Sequence, residues 1–334
     1  MKVLVTGGAG YIGSTTCTAL RQAGHEPVIL DSLVQGRKLF TEGFPFYQGD
    51  IADEALLRQI FADHPGIEAC LHFAARIIVP ESVAEPYLYY RENVAKSLEL
   101  FRILNELGCH RVVFSSSASI YGNADEYLVT EDCPLSPSSP YARTKYMMEM
   151  VLEDLCKATN LRGMALRYFN PIGADPGMRT GPYDPSPSHI VGKLISVADG
   201  KEDVFRITGV NWPTRDGSGI RDYLHVWDLA QAHVCALNRF DEALEKMGTR
   251  YLPINLGTGN GVTVKELVAA FETVWGKELN KIETDPRPGD VAGAYANCTR
   301  ARDLLGWEAK MSIEDGIRDA LKWFLEERVK VLGY

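Results

Sequence analysis

The chain of 334 residues has no C-x-x-C pair, no H-E-x-x-H or comparable histidine spacing, and no apolar run of the length a membrane helix needs. The first two absences remove the common zinc and dithiol sites, and the third removes a helical membrane span. Its seven cysteines are odd in number and scattered from Cys17 to Cys298, which reads as reduced thiols rather than a disulfide framework. Positive charge is also short. With 35 Lys and Arg against 44 Asp and Glu, the net charge is −9, which argues against a nucleic-acid or anionic-membrane partner. An anionic small ligand stays open, because local arginines can override the mean field. The sequence has no internal repeat, no low-complexity tract and no signal-type apolar segment ahead of its first strand. The expectation is a cytoplasmic protein, and 46% hydrophobic with 24% charged residues suits an ordinary globular enzyme.

Several short apolar runs are present, and they alternate with helical patterns. Residues 2–6, 27–31, 46–48, 69–73 and 112–114 read as buried strands, with helical stretches at 11–24, 53–63 and 86–107 between them. That alternation predicts an α/β fold, a Rossmann-like doubly wound parallel sheet. After residue 170 prolines cluster at 171, 176, 182, 185 and 187. Short strands at 205–207, 252–255 and 281–283 then mix with helices, among them one opened by the capping-box pair Thr263 and Glu266. Residues 1–170 therefore read as a dinucleotide domain and 171–334 as a smaller α/β lobe, some of which returns to the main sheet.

Two constellations carry chemistry. TGGAGYIG at 6–13 contains G-x-G-x-x-G between a strand and a helix. Gly7, Gly10, Tyr11, Ile12 and Gly13 would bring backbone N–H groups and a helix N-terminus to a pyrophosphate. Asp31 ends the second strand, where a carboxylate accepts from a ribose diol and repels a 2′-phosphate, so NAD is favoured over NADP despite Arg37 and Lys38 nearby. Asp50, after the third strand, is either an adenine partner or a solvated turn residue. Downstream, Tyr141 and Lys145 stand four apart, about one helical turn, so phenol and ammonium share a face. Ser115, Ser116 and Ser117 follow a strand, where parallel sheets bind their ligands. A free tyrosine titrates near 10, so a base at neutral pH needs a drop of about 3 pH units, or about 4 kcal/mol; the neighbouring lysine is expected to supply part of it.

These residues resemble the extended short-chain dehydrogenase/reductases, and within them the UDP-glucose (UDP-galactose) 4-epimerases. The matching pieces are TGGAGYIG (6–13), FYQGDI (46–51), HFAA (72–75), FSSSASIYG (114–122), SPYARTK (139–145), RYFNPIGA (167–174), GIRDYLHVWDLA (219–230) and RPGD (287–290). The resemblance implies Ser117 and Tyr141 at the sugar O4 and Lys145 on the nicotinamide ribose. It places Asp50, Ile51, Phe73, Ala74, Ala75, Asn93, Ser115 and Tyr168 about the cofactor. Asn170 would meet the uridine diphosphate, Arg221 and Arg287 its phosphates, and Asp290 the uridine ribose. Arg forks suit a diphosphate on physical grounds too, though surface ion pairs use them equally. The implied chemistry needs no metal: tyrosinate takes the O4 proton, hydride passes from C4 to NAD, the 4-keto sugar turns about its diphosphate link, and hydride returns to the other face. The resemblance also implies a homodimer through the helices at 86–107 and 141–158.

The chain departs from that pattern at several points. Ile77 stands where the family has a lysine and Pro80 where it has a glycine. His189 replaces a substrate asparagine, and Thr208 an aromatic near the uracil. Ala294 falls where a bulkier pocket wall is common, which suggests room for a 2-acetamido group and hence UDP-GlcNAc and UDP-GalNAc. Arg179 offers an alternative partner for a uronate carboxylate. A 4,6-dehydratase would need an Asp-Glu pair after the catalytic hydroxyl, where this chain has Ala118 and Ser119. A catalytically silent NAD sensor is the reading from outside the enzyme class, and the intact Ser117, Tyr141 and Lys145 set speaks against it.

Overall fold

The computed structural model describes residues 1–122, 127–184, 187, 189–286 and 291–333. Seven parallel strands form its central sheet: β1 Lys2–Thr6, β2 Glu26–Asp31, β3 Phe46–Gln48, β4 Ile67–His72, β5 Arg111–Ser115, β6 Arg162–Tyr168 and β7 Tyr251–Leu256, in the spatial order β7-β6-β5-β4-β1-β2-β3. The order reverses between β1 and β4, which opens a crevice at the carboxyl ends of those two strands. Val3, Leu4 and Val5 of β1 are wholly buried, as befits a strand covered on both faces.

Helices cover both faces. α1 Tyr11–Gln22 follows the glycine turn and packs on the later helix Val226–Asn238. On the other face lie Glu54–Asp63 and Lys96–Glu106. The long helix α2, Pro140–Ala158, begins with Pro140 in its first turn, and the hydroxyl of Ser139 accepts from the Ala142 amide to cap it.

One reading changes on sight of the fold, and another gains its place. The stretch 86–107 is not one α-helix: a short helix Pro86–Tyr89 widens into a π-turn at Tyr90–Ala95 before Lys96–Glu106. The wide turn carries Asn93, which is buried and makes three tertiary hydrogen bonds; π-turns recur where a side chain is re-aimed in this way. The strand expected at 252–255 is β7, on the outer edge of the main sheet beside β6.

The remaining elements pair in twos. Asn170–Ile172 runs parallel to Tyr223–His225, Phe205–Thr208 parallel to Lys281–Thr284, and Ile220–Arg221 antiparallel to Val262–Thr263. The helix Val264–Trp275 has the expected capping box between Thr263 and Glu266. Its Leu267, Val268 and Phe271 share a core with Ile317 and Leu321 of the helix Ile313–Lys322. All seven cysteines are free thiols. Among the described residues no helix is long and apolar enough to cross a membrane, and no cluster of three or more His, Cys, Asp or Glu could hold a metal ion.

Candidate active site

The glycine turn joins β1 to α1 at the sheet's switch point, and its glycines are demanded by contact. A Cβ on Gly7 would lie 2.6 Å from the Ala74 amide nitrogen, and one on Gly13 would lie 2.3 Å from the Gly7 carbonyl. Gly7 also sits at φ 75°, in the left-handed region. At Gly10 the neighbours stand further off, the Gly7 carbonyl at 3.2 Å and the Tyr183 hydroxyl at 3.8 Å. No side chain caps α1, so the N–H groups of its first turn keep the helix dipole's positive end for an anion. Tyr11 donates to the Gly173 carbonyl at 2.7 Å, and the Thr15 and Thr180 hydroxyls meet at 3.0 Å, so the segment 173–183 is fastened to α1. Ile12 packs into the core.

Asp31 ends β2 beside this turn. Its two carboxylate oxygens accept from the Ala9 amide at 3.0 Å and the Leu33 amide at 2.8 Å. Burial pushes the carboxyl above its usual range, and those two amides offset part of the rise. Arg37 lies over the Tyr183 ring at 4.8 Å. An uncapped helix start, a backbone turn that admits no side chain and a fixed carboxylate on the second strand together fit a dinucleotide with a free ribose diol.

Past the crevice, residues 73–76 leave β4. Phe73 stacks on His233 with ring centroids 4.7 Å apart, Ala74 abuts Gly7, and Ala75 is half-buried. Asn93 spends its amide on this loop, accepting from the Arg76 N–H at 2.8 Å and donating to the Arg76 carbonyl at 2.9 Å and to Thr144 at 3.1 Å. It therefore acts by fixing that loop. Asp50 is a turn residue whose carboxylate accepts from the Ala52 amide at 2.9 Å and pairs with Lys96. Ile51 is buried in the core.

The serine, tyrosine and lysine converge. Ser117 caps the short 3₁₀ turn Ala118–Ile120, and its hydroxyl accepts from the Ser119 N–H at 3.2 Å and the Ser119 hydroxyl at 3.0 Å. Burial raises the pKa of Tyr141 above that of a free tyrosine, and the Ser117 side chain works the other way. The expectation that the lysine supplies the lowering needs amending for the protein alone. Lys145 lies over the Tyr141 ring, 6.0 Å from its centroid, but donates to the Ser115 carbonyl at 2.7 Å. Burial brings the Lys145 ammonium down to about 7, while Glu149 one turn further on holds it up. The Ser115 hydroxyl is bonded to the Tyr168 phenol.

The expected substrate residues lie on several separate elements. Asn170 is exposed, its backbone held by Asp222 at 3.0 Å. The Arg221 guanidinium donates to the carbonyls of Ile220, Ala292 and Val291 at 2.7, 3.0 and 3.2 Å, bracing the chain just after 290. Ala294 packs against the small core of Ile120, Tyr121 and Val129, which follows the serine turn. Thr208 ends its strand opposite Thr284. His189 accepts from the Gly192 amide at 3.1 Å and caps the helix Ile190–Ala198. Arg287 and Asp290 lie outside the described residues. Arg179, the alternative uronate partner, closes its fork on buried Asp175 at 2.5 and 2.7 Å.

Sequence reading missed the polar floor. Asp222 is wholly buried and accepts from Thr258, Gly259 and Ala296, which fixes the return of the chain from β7. Glu149 and Arg167 form a buried ion pair at 2.7 Å beneath Lys145. The signal for Glu149 was its spacing, a second interval of four after Tyr141 and Lys145.

The model of the NAD dependent epimerase/dehydratase family matches residues 3–252. The chain belongs to that family. It is 42% identical over 334 residues to the UDP-glucose 4-epimerase of Bacillus subtilis, covering 97% of this chain and 96% of that protein. The UDP-glucose 4-epimerase of Stenotrophomonas maltophila, solved with NAD and formylated UDP-arabinopyranose, superposes with a TM-score of 0.92 at 38% identity and 100% coverage of both chains. The Bifidobacterium longum enzyme, solved with NAD+ and UDP, gives 0.90 at 33% identity, covering 98% of this chain and 99% of that one.

Proposed function

We propose that this protein is an NAD-dependent UDP-hexose 4-epimerase, with Ser117, Tyr141 and Lys145 around the reacting carbon. The observation that carries the reading is Lys145 over the Tyr141 ring, with the Ser117 side chain acting on that phenol, at the carboxyl edge of a sheet whose switch point holds the glycine turn and Asp31. Gly7, Gly10 and Gly13 would hold the pyrophosphate and Asp31 the adenosine ribose. When bound, NAD supplies the two-electron acceptor for sugar C4 and a positive ring that lowers the phenol's proton affinity. Tyr141 removes the O4 proton and later returns it. Ser117 bridges that oxygen and the phenol. Lys145, held by the Ser115 carbonyl, stabilises the phenolate. Asn170, Arg221, Arg287, Asp290 and Ala294 are assigned to the nucleotide sugar by family resemblance.

Isomerisation is preferred to loss of water because the positions after Ser117 are Ala118 and Ser119, the latter turned back onto Ser117. The uronate alternative is weakened because Arg179 is committed to Asp175. The reading takes residues 1–170 as the NAD domain and assigns the nucleotide sugar to the lobe from 171, with 226–256 returning to the sheet. It includes a cytoplasmic homodimer built on Lys96–Glu106 and α2, supported by the exposed Leu98 and Met150 on those helices; Phe101, Leu104 and Met148 turn to the core instead. A solution mass near one rather than two copies of 37.0 kDa would remove that part.

The test is Tyr141→Phe. The variant should fold and keep bound NAD while its turnover of UDP-glucose falls by two orders of magnitude or more, on the scale of general acid–base catalysis. Turnover within a few-fold of the parent would remove Tyr141 from the mechanism.

A further inference from the structure

One face of α2 carries Tyr141, Lys145 and Glu149 at intervals of four. The first two belong to the reaction proposed above, and the third has no part in it. Glu149 is 3% exposed and its counter-ion Arg167, on β6, is 4% exposed. Arg167 donates to the two carboxylate oxygens at 3.0 Å through Nε and 2.7 Å through Nη2. The Ser116 hydroxyl donates to Oε1, and the Tyr251 phenol donates to Oε2 at 2.9 Å. Donors from the carboxyl ends of β5 and β6 and from the first residue of β7 thus converge on a single carboxylate. A buried ion pair is costly to desolvate and adds little net stability, so its position directly under the reacting lysine calls for another reason.

The same strand ends serve Lys145. Ser115 gives its carbonyl to the ammonium and its hydroxyl to Tyr168, while the adjacent Ser116 and Arg167 go to Glu149. Neighbouring residues on β5 and β6 therefore divide between the reacting layer and the layer beneath it, as alternating side chains allow. Arg167 is anchored in turn, donating to the Tyr121 phenol at 2.9 Å and the Glu131 carbonyl at 3.0 Å.

We propose that Glu149, clamped by Arg167, Ser116 and Tyr251, is a positioning residue for the epimerisation: it locks α2 to the strand ends and keeps the Lys145 ammonium charged beside Tyr141. This rests on the 4-epimerase reading. The groups facing Lys145 are Tyr141 and Glu149 from its own helix, His72 at the end of β4, and Ser115 with Tyr168 from β5 and β6. His72 adds no charge at neutral pH, because burial, and then Lys145 itself, hold its pKa down to about 3. Glu149 is thus the negative charge that offsets the burial of Lys145. Removing that charge lets the ammonium lose its proton at lower pH, so activity that needs the charged lysine fails earlier on the alkaline side.

The experiment is the pH profile of kcat and KM on NAD-loaded protein with UDP-glucose, for the parent, Glu149→Gln and Ser116→Ala. In Glu149→Gln the alkaline limb should move by about one pH unit to lower pH, with kcat down ~10-fold above it and KM little changed. A folded, NAD-loaded Glu149→Gln whose alkaline limb matches the parent's overturns the proposal. Should that variant fail to fold with Arg167 left unpaired, Ser116→Ala decides, since it keeps the ion pair and loosens the clamp. A several-fold loss in kcat at constant KM supports the proposal, and a parental kcat overturns it. A parent that turns over no UDP-hexose would instead sink the 4-epimerase reading itself.

Discussion

The glycine turn and the Tyr141–Lys145 cluster sit at the same edge of one sheet, yet they are built from opposite materials. The turn is backbone against backbone: Gly7 on Ala74, Gly13 on Gly7. The cluster is side chain upon side chain, with Tyr141 and Lys145 resting on the Glu149–Arg167 pair. The first has no spare volume and carries its charge only as a helix dipole. The second tolerates changes of shape but depends on which of its buried groups holds a proton. Damage to the turn should therefore remove cofactor and stability together, whereas damage to the cluster should remove rate and leave the fold standing.

The sharpest way to break that contrast is Gly13→Ala. Its methyl would meet the Gly7 carbonyl at 2.3 Å, so the turn has to open. We expect a loss of about 1–3 kcal/mol or more in unfolding free energy, of the order seen for overpacking, together with loss of retained NAD on purification. A variant with parental melting and parental NAD content would show that the turn has room, and the contrast would fail. A smaller effect is expected at Ala294, which packs against the small core of Ile120, Tyr121 and Val129 that follows the serine turn. Ala294→Tyr should fold and bind NAD normally, and turn over UDP-glucose within several-fold of the parent. It should lose UDP-GlcNAc by ~10–100-fold, the scale of steric discrimination in a pocket. Equal turnover of the acetamido sugar by both proteins would refute Ala294 as the wall that sets sugar size.

The two regions also differ in how openly the sequence displays them. The turn was legible because its glycine spacing falls within one strand, one turn and one helix, and Asp31 ends the next strand, although the close approach of Gly7 to Ala74 belongs to the fold. Tyr141 and Lys145 were legible because helical spacing alone brings them to one face. The π-turn at Tyr90–Ala95 was not, since it depends on Asn93 finding the Arg76 backbone and Thr144. Nor was the place of β7, whose partner β6 lies more than eighty residues earlier. Arg179 read as an alternative partner for a uronate carboxylate, and only the fold brings its fork onto a buried Asp175. Glu149 shows the same limit from the other side: its spacing was visible, but the three strands that make it a clamp were not.

The most direct test of the central claim is to incubate the protein with UDP-glucose in D₂O and follow the sugar by NMR and mass. If Tyr141 moves only the O4 proton and the C4 hydrogen stays with the enzyme between the two transfers, the product is the galacto isomer, unchanged in mass at carbon, with its original C4 hydrogen. Deuterium at C4, a product lighter by one water, or no isomer at all would contradict the account.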